Sequence, residues 1–267
     1  MEIRLGTFTA DLSEPIDISV PLLFNGPQPN AYGVPLASSE ACESGDMVGD
    51  TRRGGSCNFE RYTLIPHCNG THTECVGHIT NERISVRNCL QDSFMPATLI
   101  SVEPVPSRET ADRYAVDLNE HDLLITRDAL AMSVGDVQAS PSALIVRTLP
   151  NDASRLTRRY RDKVPPFFST DAMEFIVERG VDHLIVDLPS IDRLFDEGKL
   201  LNHRLFWDVV PGEFAVNGAT KSHRTITELA YIPNDVADGV YLLNLQIAPF
   251  AADAAPSRPL LFRATNV

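Results

Sequence analysis

The chain has 267 residues, 43% hydrophobic and 22% charged, a composition that suits a water-facing globular protein with a sizeable core. Its formal net charge of −13 argues against nucleic acid and anionic membrane surfaces as partners, because both recruit basic patches. No apolar run approaches the roughly 20 residues of a membrane span, and Met1-Glu2-Ile3-Arg4 opens no signal peptide. The cysteines (Cys42, Cys57, Cys68, Cys75, Cys89) are odd in number and lack a CxxC pair, which suits a reducing cytoplasm better than a disulfide framework.

In chain order, residues 3–20 alternate as strands, first Ile3-Arg4-Leu5 and then Ile16-Asp17-Ile18-Ser19-Val20. Residues 23–57 are rich in Gly, Pro, Ser and Asn without periodicity. A loop of that length reads either as a lid over a site or as an ordered surface excursion. Phe59 to Ile65 (FERYTLI) reads as a strand, and residues 81–92 as a polar connector. Ala97 to Val102 and Ser142 to Thr148 are buried strands, whose unbroken apolar runs predict layers on both faces of a mixed α/β sheet. Between them, residues 104–142 mix Pro-rich turns with a short helix at Thr126 to Ala131 and a turn at Gly135. The basic run Arg155 to Lys163 reads as a solvated loop or helix face, with anion recruitment as the alternative. Thr170 to Arg179 is a helix: Ser169 caps it, Asp171 sits in its positive first turn, and Gly180 ends it. Val181 to Leu188 is the next buried strand, broken by Pro189, and further strands are expected at Thr225 to Leu229 and Asp238 to Leu245.

The chemistry is concentrated in Pro66-His67-Cys68-Asn69-Gly70-Thr71-His72-Thr73-Glu74-Cys75-Val76-Gly77-His78, which holds three of the seven histidines. If the extended backbone of residues 59–65 continues, Cys68, Gly70, His72 and Glu74 project to one side. Imidazole, thiolate and carboxylate are the groups that a first-row divalent ion such as zinc accepts, and Gly70 would give the ion room. His78 follows a glycine and can fold back onto the same ion or a second one. Cys75 reads as a small buried hydrophobe. Of the remaining histidines, His121 and His183 read as structural and His223 as surface.

These residues resemble the signature of the cyclase family, metal-dependent hydrolases that include bacterial kynurenine formamidase and isatin hydrolase, whose motif runs His-x-Gly-Thr-His-x-Asp-x-Pro-x-His. Gly70-Thr71-His72, Glu74 and His78 fall at that spacing, with Glu in place of Asp and Val76 in place of Pro. The register of the first His is taken by Cys68, so either Cys68 is the ligand or a one-residue bulge turns His67 inward. Two further blocks agree. Asp187-Leu188-Pro189-Ser190-Ile191-Asp192 is similar to the family's Asp-x-x-Ser-[IV]-Asp segment, and Asn202-His203 and Glu228-Leu229 fall where members carry further ligands. The likeness spans about residues 14–262 and implies one domain over residues 1–267 with the mixed-sheet swivelling β/β/α fold.

By that resemblance, Zn2+ (one or two ions, with Mn2+ as the alternative) would be held by Cys68 or His67, His72, Glu74, His78, His203 and Glu228. The substrate would be a small aromatic or cyclic amide of the N-formylkynurenine type, which belongs to tryptophan catabolism. Glu74 would bridge, and His78 or His203 would move the proton. The assembly would be a homodimer or homotetramer in the cytoplasm. Two rivals remain open: a degenerate member that binds metal or a small acid without turnover, and a structural zinc domain. The scatter of candidate ligands over 160 residues argues against the second.

Overall fold

In the computed structural model, which describes residues 2–5, 8–135, 142–161 and 163–266, the apolar runs lie side by side in one eleven-stranded mixed sheet. Its strands are β1 (Glu2–Leu5), β2 (Phe8–Asp11), β3 (Ile16–Asp17), β4 (His72–Glu74), β5 (Phe94–Val102), β6 (Ala143–Thr148), β7 (His183–Val186), β8 (Thr225–Glu228), β9 (Gly239–Asn244), β10 (Ala254–Pro256) and β11 (Leu260–Asn266). The order across the sheet is β1-β2-β11-β9-β5-β6-β7-β8-β4-β10, with β3 beside β11. β5, β6, β7 and β8 run parallel, while β4 and β9 flank that block antiparallel.

The parallel strands carry apolar residues at successive positions because both faces are covered. Ile100, Val102, Leu144, Val146, Leu184, Val186 and Ile226 feed one core, and Ala97, Leu99, Ala143, Ile145 and Ile185 feed the other. The first core takes the apolar stripe of the helix Thr170–Glu178, whose Ala172, Met173, Phe175 and Ile176 are buried. Ser169 Oγ accepts from Ala172 N at 3.0 Å, the expected cap. Arg127–Val134 is the short helix expected near Thr126, which caps it from outside, and Leu201–Trp207 carries His203. Of the 104–142 stretch with its expected Pro-rich turns, residues 136–141 lie outside the described residues.

Several boundaries differ from the sequence reading. Only Ile16–Asp17 of residues 16–20 is paired as a strand. The 23–57 segment is an excursion ordered by its own contacts: Gln28 Oε1 accepts from Ala37 N at 2.7 Å, and Ser38–Ala41 pairs with Glu60–Thr63. The basic run is not wholly solvated, since Arg155 is buried and donates to the Asp187 and Thr148 carbonyls. The largest departure is at Pro66–Asn69. There the chain leaves the extended state for one helical turn, with Pro66 in its first turn and Asn69 Oδ1 accepting from Ile65 N at 2.6 Å. The strand parity that would have aligned Cys68 with His72 is therefore lost.

β4 and β8 are locked in register, Glu228 opposite His72 and Ile226 opposite Glu74. On the face away from the ligand candidates, Thr73 Oγ1 and Thr227 Oγ1 lie 2.7 Å apart and fully buried. Replacing one threonine by valine strands the other hydroxyl, whereas replacing both removes donor and acceptor together. Thr73→Val and Thr227→Val are each expected to cost about 1–3 kcal/mol, and the double variant less than the two added. Denaturant unfolding of the four proteins in the cycle reads this directly, and additive losses would contradict it.

Candidate metal centre and active site

Glu74, fully buried at the end of β4, sits among imidazoles contributed by three separate parts of the chain. Its Oε1 is 3.1 Å from His203 Nε2, and its Oε2 is 2.9 Å from His67 Nδ1 and 3.9 Å from His78 Nε2. His72 Nε2 lies 3.6 Å from Glu228 Oε2, and His203 Nε2 lies 3.7 Å from Glu228 Oε1. The ligand atoms thus form two groups that share Glu74: His67, Glu74 and His78, and His72, Glu74 and Glu228.

Each ring is aimed by a specific partner. His72 Nδ1 meets the Gly70 carbonyl at 3.0 Å, which fixes the donor on that side and turns Nε2 into the cluster. His203 Nδ1 is 2.7 Å from Asp192 Oδ2, and Asp192 also accepts from the His203 and Asn202 backbone amides. His67 Nε2 is 2.9 Å from Asp253 Oδ2, and His78 Nδ1 is 3.6 Å from the same oxygen. The His67 and His78 rings stack at 4.2 Å. Glu228 Oε1 accepts from Ile191 N at 2.9 Å, which joins the central acidic block to the cluster. Thr71 ties three segments together: its Oγ1 donates to the Leu229 carbonyl at 2.6 Å and accepts from Val20 N at 2.8 Å.

Two glycines play unequal parts. A Cβ at Gly77 would lie 2.2 Å from the Ile84 carbonyl oxygen, so glycine alone permits the tight turn Val76–His78 that presents His78. A Cβ at Gly70 would only touch Leu22 at 3.8 Å, so the room expected around an ion does not come from Gly70.

Cys68 takes no part in either group. The helical turn leaves it buried, with its thiol pushed up to about 11 by burial and then by Glu228. His67, one residue earlier on the same turn, reaches Glu74 instead. His121 is exposed, His183 is buried against Thr225 Oγ1 at 2.8 Å, and His223 pairs with Asp182 at the surface. All five cysteines are free, and Cys75 is fully buried, as expected of a thiol that packs as a small hydrophobe.

The sequence reading missed two carboxylates. Asp192 lies inside a block already singled out, so its role was within reach. Asp253 precedes β10 in a stretch without a motif, and only the pairing of Ala254 with Glu74 brings it to the histidines. The 23–57 segment adds Tyr32, in contact with Phe195 at a ring separation of 6.1 Å, and Ala31 N donates to the Cys68 carbonyl at 3.0 Å.

The electrostatics suit a cation. Burial works against ionised Glu74, but His78, His203 and His67 outweigh it and hold the carboxyl well below its usual range. Burial likewise opposes a charged His67, yet Asp253 and Glu74 raise it to about 10; Asp192 and Glu74 raise His203 in the same way. Burial and the charge of His67 push His72 down to about 4, and burial with the neighbouring Glu74 pushes Glu228 up to about 8. His72 Nε2 is buried without a hydrogen-bond partner, an orphaned lone pair that points into the acidic cluster. Imidazole nitrogens and carboxylate oxygens in this arrangement fit a divalent first-row ion.

The family model described as "Putative cyclase" matches residues 10–193. The chain belongs to the cyclase family. Among its relatives, this cyclase is 26% identical over 256 residues to a kynurenine formamidase of Bacillus cereus, covering 93% of this chain and 97% of that one. A kynurenine formamidase of Bacillus cytotoxicus is 25% identical over the same shares. Among solved structures, an isatin hydrolase bound to the product analogue thioisatinate aligns with a TM-score of 0.63 at 14% identity, covering 97% of this chain and 94% of its own. A potential metal-dependent hydrolase with cyclase activity aligns at 0.59 and 19% identity, covering 94% and 98%. At those identities the structural likeness speaks for the cyclase fold.

Metal ligation needs neutral imidazole and ionised carboxylate. At pH 7, His67 and Glu228 carry protons because their raised values lie above that pH. His203 is raised as well, so binding a divalent cation to these groups is expected to expel about three protons per chain, and affinity should rise with pH through neutrality and fall on acidification. Calorimetric titration of chelated protein in buffers of different ionisation enthalpy counts them; binding with no proton release would contradict the assignment.

Proposed function

We propose that this cyclase is a metal-dependent amidohydrolase that cleaves the C–N bond of a small aromatic amide, outside peptide bonds, by way of an activated water. One observation carries the reading. The histidines and carboxylates of three distant segments converge on Glu74, in a chain similar over nearly its whole length to kynurenine formamidases. The ion would be held by His67 on one side of Glu74, and by His72 and Glu228 on the other, with His203 closing the ring and His78 beside it. His67 takes the place that strand parity would have given to Cys68. Zinc suits these donors, and manganese suits the carboxylate-rich side. When bound, a divalent ion supplies an acidified water and polarises the amide carbonyl.

The chain's own groups supply the rest. His78 is the least committed of the imidazoles, partly exposed and only loosely placed against Glu74 and Asp253. It is the group suited to take the proton from the attacking water and deliver it to the departing nitrogen. Asp253 orients it, as Asp192 orients His203. Glu74 lies between the two ligand groups, the position from which a carboxylate bridges. The helical turn brings His67 rather than Cys68 to its Oε2. Tyr32 and Phe195 offer an aromatic wall. The Tyr32 phenol is held well above its ordinary range by burial and by Glu228, Cys68, Asp196 and Asp192, so it faces the acidic cluster as a neutral group.

N-formylkynurenine is the first substrate to try, which would place the enzyme in tryptophan catabolism in the cytoplasm. No described helix is long and apolar enough to cross a membrane. A homodimer or homotetramer is the assembly we propose.

The deciding experiment combines metal content by mass spectrometry with hydrolysis of an arylformamide and cyclic-amide panel, for wild type, His67→Ala and Cys68→Ala. His67→Ala is expected to lose metal and at least about 100-fold in kcat/KM, while Cys68→Ala keeps both within a few-fold. Loss of the ion in Cys68→Ala alone would return the thiolate to the site. Metal without turnover of any substrate would favour a binding protein over an enzyme. His78→Ala is expected to retain metal better than His67→Ala while losing about 100-fold or more in kcat, the share general acid–base catalysis contributes. Equal kcat in the variant and wild type would remove His78 from proton transfer.

A further inference from the structure

The basic run from Arg155 to Lys163 walls a cavity of about 420 Å3, and none of its lining residues belongs to the cluster around Glu74. The volume is that of a small-molecule site. Leu123, Leu149, Val164 and several prolines make its walls largely apolar. Set into them are Arg155, Arg158, Arg159 and Lys163, with Asp152 as the one acidic residue of the lining among the described residues. In a chain of net charge −13, this concentration of cations needs a reason.

Their own contacts leave capacity unused. Arg158 is paired with Asp152 at 3.1 Å, but among the described residues neither Arg159 nor Lys163 has an ion-pair partner. Arg155 is buried, and its Nη1 and Nη2 are spent on the Asp187 and Thr148 carbonyls, while its Nε is left without a hydrogen-bond partner. Tyr160 is 2% exposed, and its buried hydroxyl faces the Arg155 side chain. The Arg155 Nε and the Tyr160 hydroxyl are both closed off from solvent and so lie behind the cavity wall; the cations that the cavity presents are Arg158, Arg159 and Lys163. The Tyr160 ring itself is fixed by Leu194 and Leu229, so the hydroxyl is held in place.

We propose that this cavity is a binding site for a small organic carboxylate, separate from the metal centre. The carboxylate would lie against the Arg158 and Arg159 guanidinium groups and the Lys163 ammonium, and its apolar body against Leu123, Leu149 and the prolines. Guanidinium forks match the two coplanar oxygens of a carboxylate. Inorganic phosphate, with oxygens on every side, would have to press some of them against the apolar wall.

Benzoate is the probe, titrated calorimetrically into the protein as purified and again after chelation, since a carboxylate can also ligate a metal ion. One benzoate per chain is expected in both cases. Binding should weaken by about tenfold or more in the Arg159→Ala/Lys163→Ala double variant, whose two side chains are exposed. Benzoate binding that disappears on chelation belongs to the metal centre and overturns the proposal, as does binding unchanged in the double variant. Competition by inorganic phosphate at benzoate's own potency would overturn the carboxylate class. Arylformamide hydrolysis by the double variant is read in parallel; this separates failure of the cavity from failure of the hydrolase reading.

Discussion

The antiparallel pairing of His72–Glu74 with Thr225–Glu228 is the constraint on which the site depends. These short strands place residues about 150 positions apart face to face, with Glu228 opposite His72. Period-2 alternation then does the sorting: His72, Glu74 and Glu228 face the cluster, and Thr73 and Thr227 face away. A slip of one residue would exchange the two sets and dismantle the ligand groups while preserving the backbone pairing. The parallel block beside β8 holds this edge rigid, because its strands are buried on both faces.

Burying Glu74 as an anion is possible only because positive charge is brought to it. His67, His78 and His203 arrive from a helical turn, a tight turn and a helix, and each is oriented by a further group: Asp253 for the first two, Asp192 for the third. Such outer contacts set which ring nitrogen faces inward, and so prepare a donor set before any cation arrives. The opposed shifts of His67 and His72 follow from the same arrangement. One ring lies between two carboxylates, and the other is buried beside a ring that is itself positive.

The excursion over residues 23–57 joins the two ends of this machinery. Ala31 holds the carbonyl of Cys68 on the helical turn that carries His67, and Asn30 exchanges backbone hydrogen bonds with Arg158 and Tyr160 on the basic segment. Tyr160 in turn packs on Leu229, the residue after Glu228, whose φ of 55° is held in the left-handed region by its neighbours. The metal centre and the basic cavity therefore share a packed boundary though they share no side chain.

The sequence by itself determined the elements and most of the candidate site. Unbroken apolar runs at residues 97–102, 142–148 and 181–188 could only be strands covered on both faces. Ser169 and Gly180 bounded a helix, and the spacing of His72, Glu74 and His78 marked the chemistry together with the family. The choice between His67 and Cys68 lay beyond it, because that turned on whether Pro66 continues a strand or starts a helical turn; a strand reading extrapolates parity, and one turn of helix reverses it. Asp253 was invisible for a different reason. Its part comes from β10 pairing beside β4, a contact between segments about 180 residues apart that leaves no local pattern. Buried Arg155 was hidden in the same way, since a run of charges reads as solvated until the carbonyls of two neighbouring strand ends are seen converging on it. Local periodicity records which face of an element is apolar; which elements meet, and so which polar groups must be satisfied by one another, is decided only when the sheet is assembled.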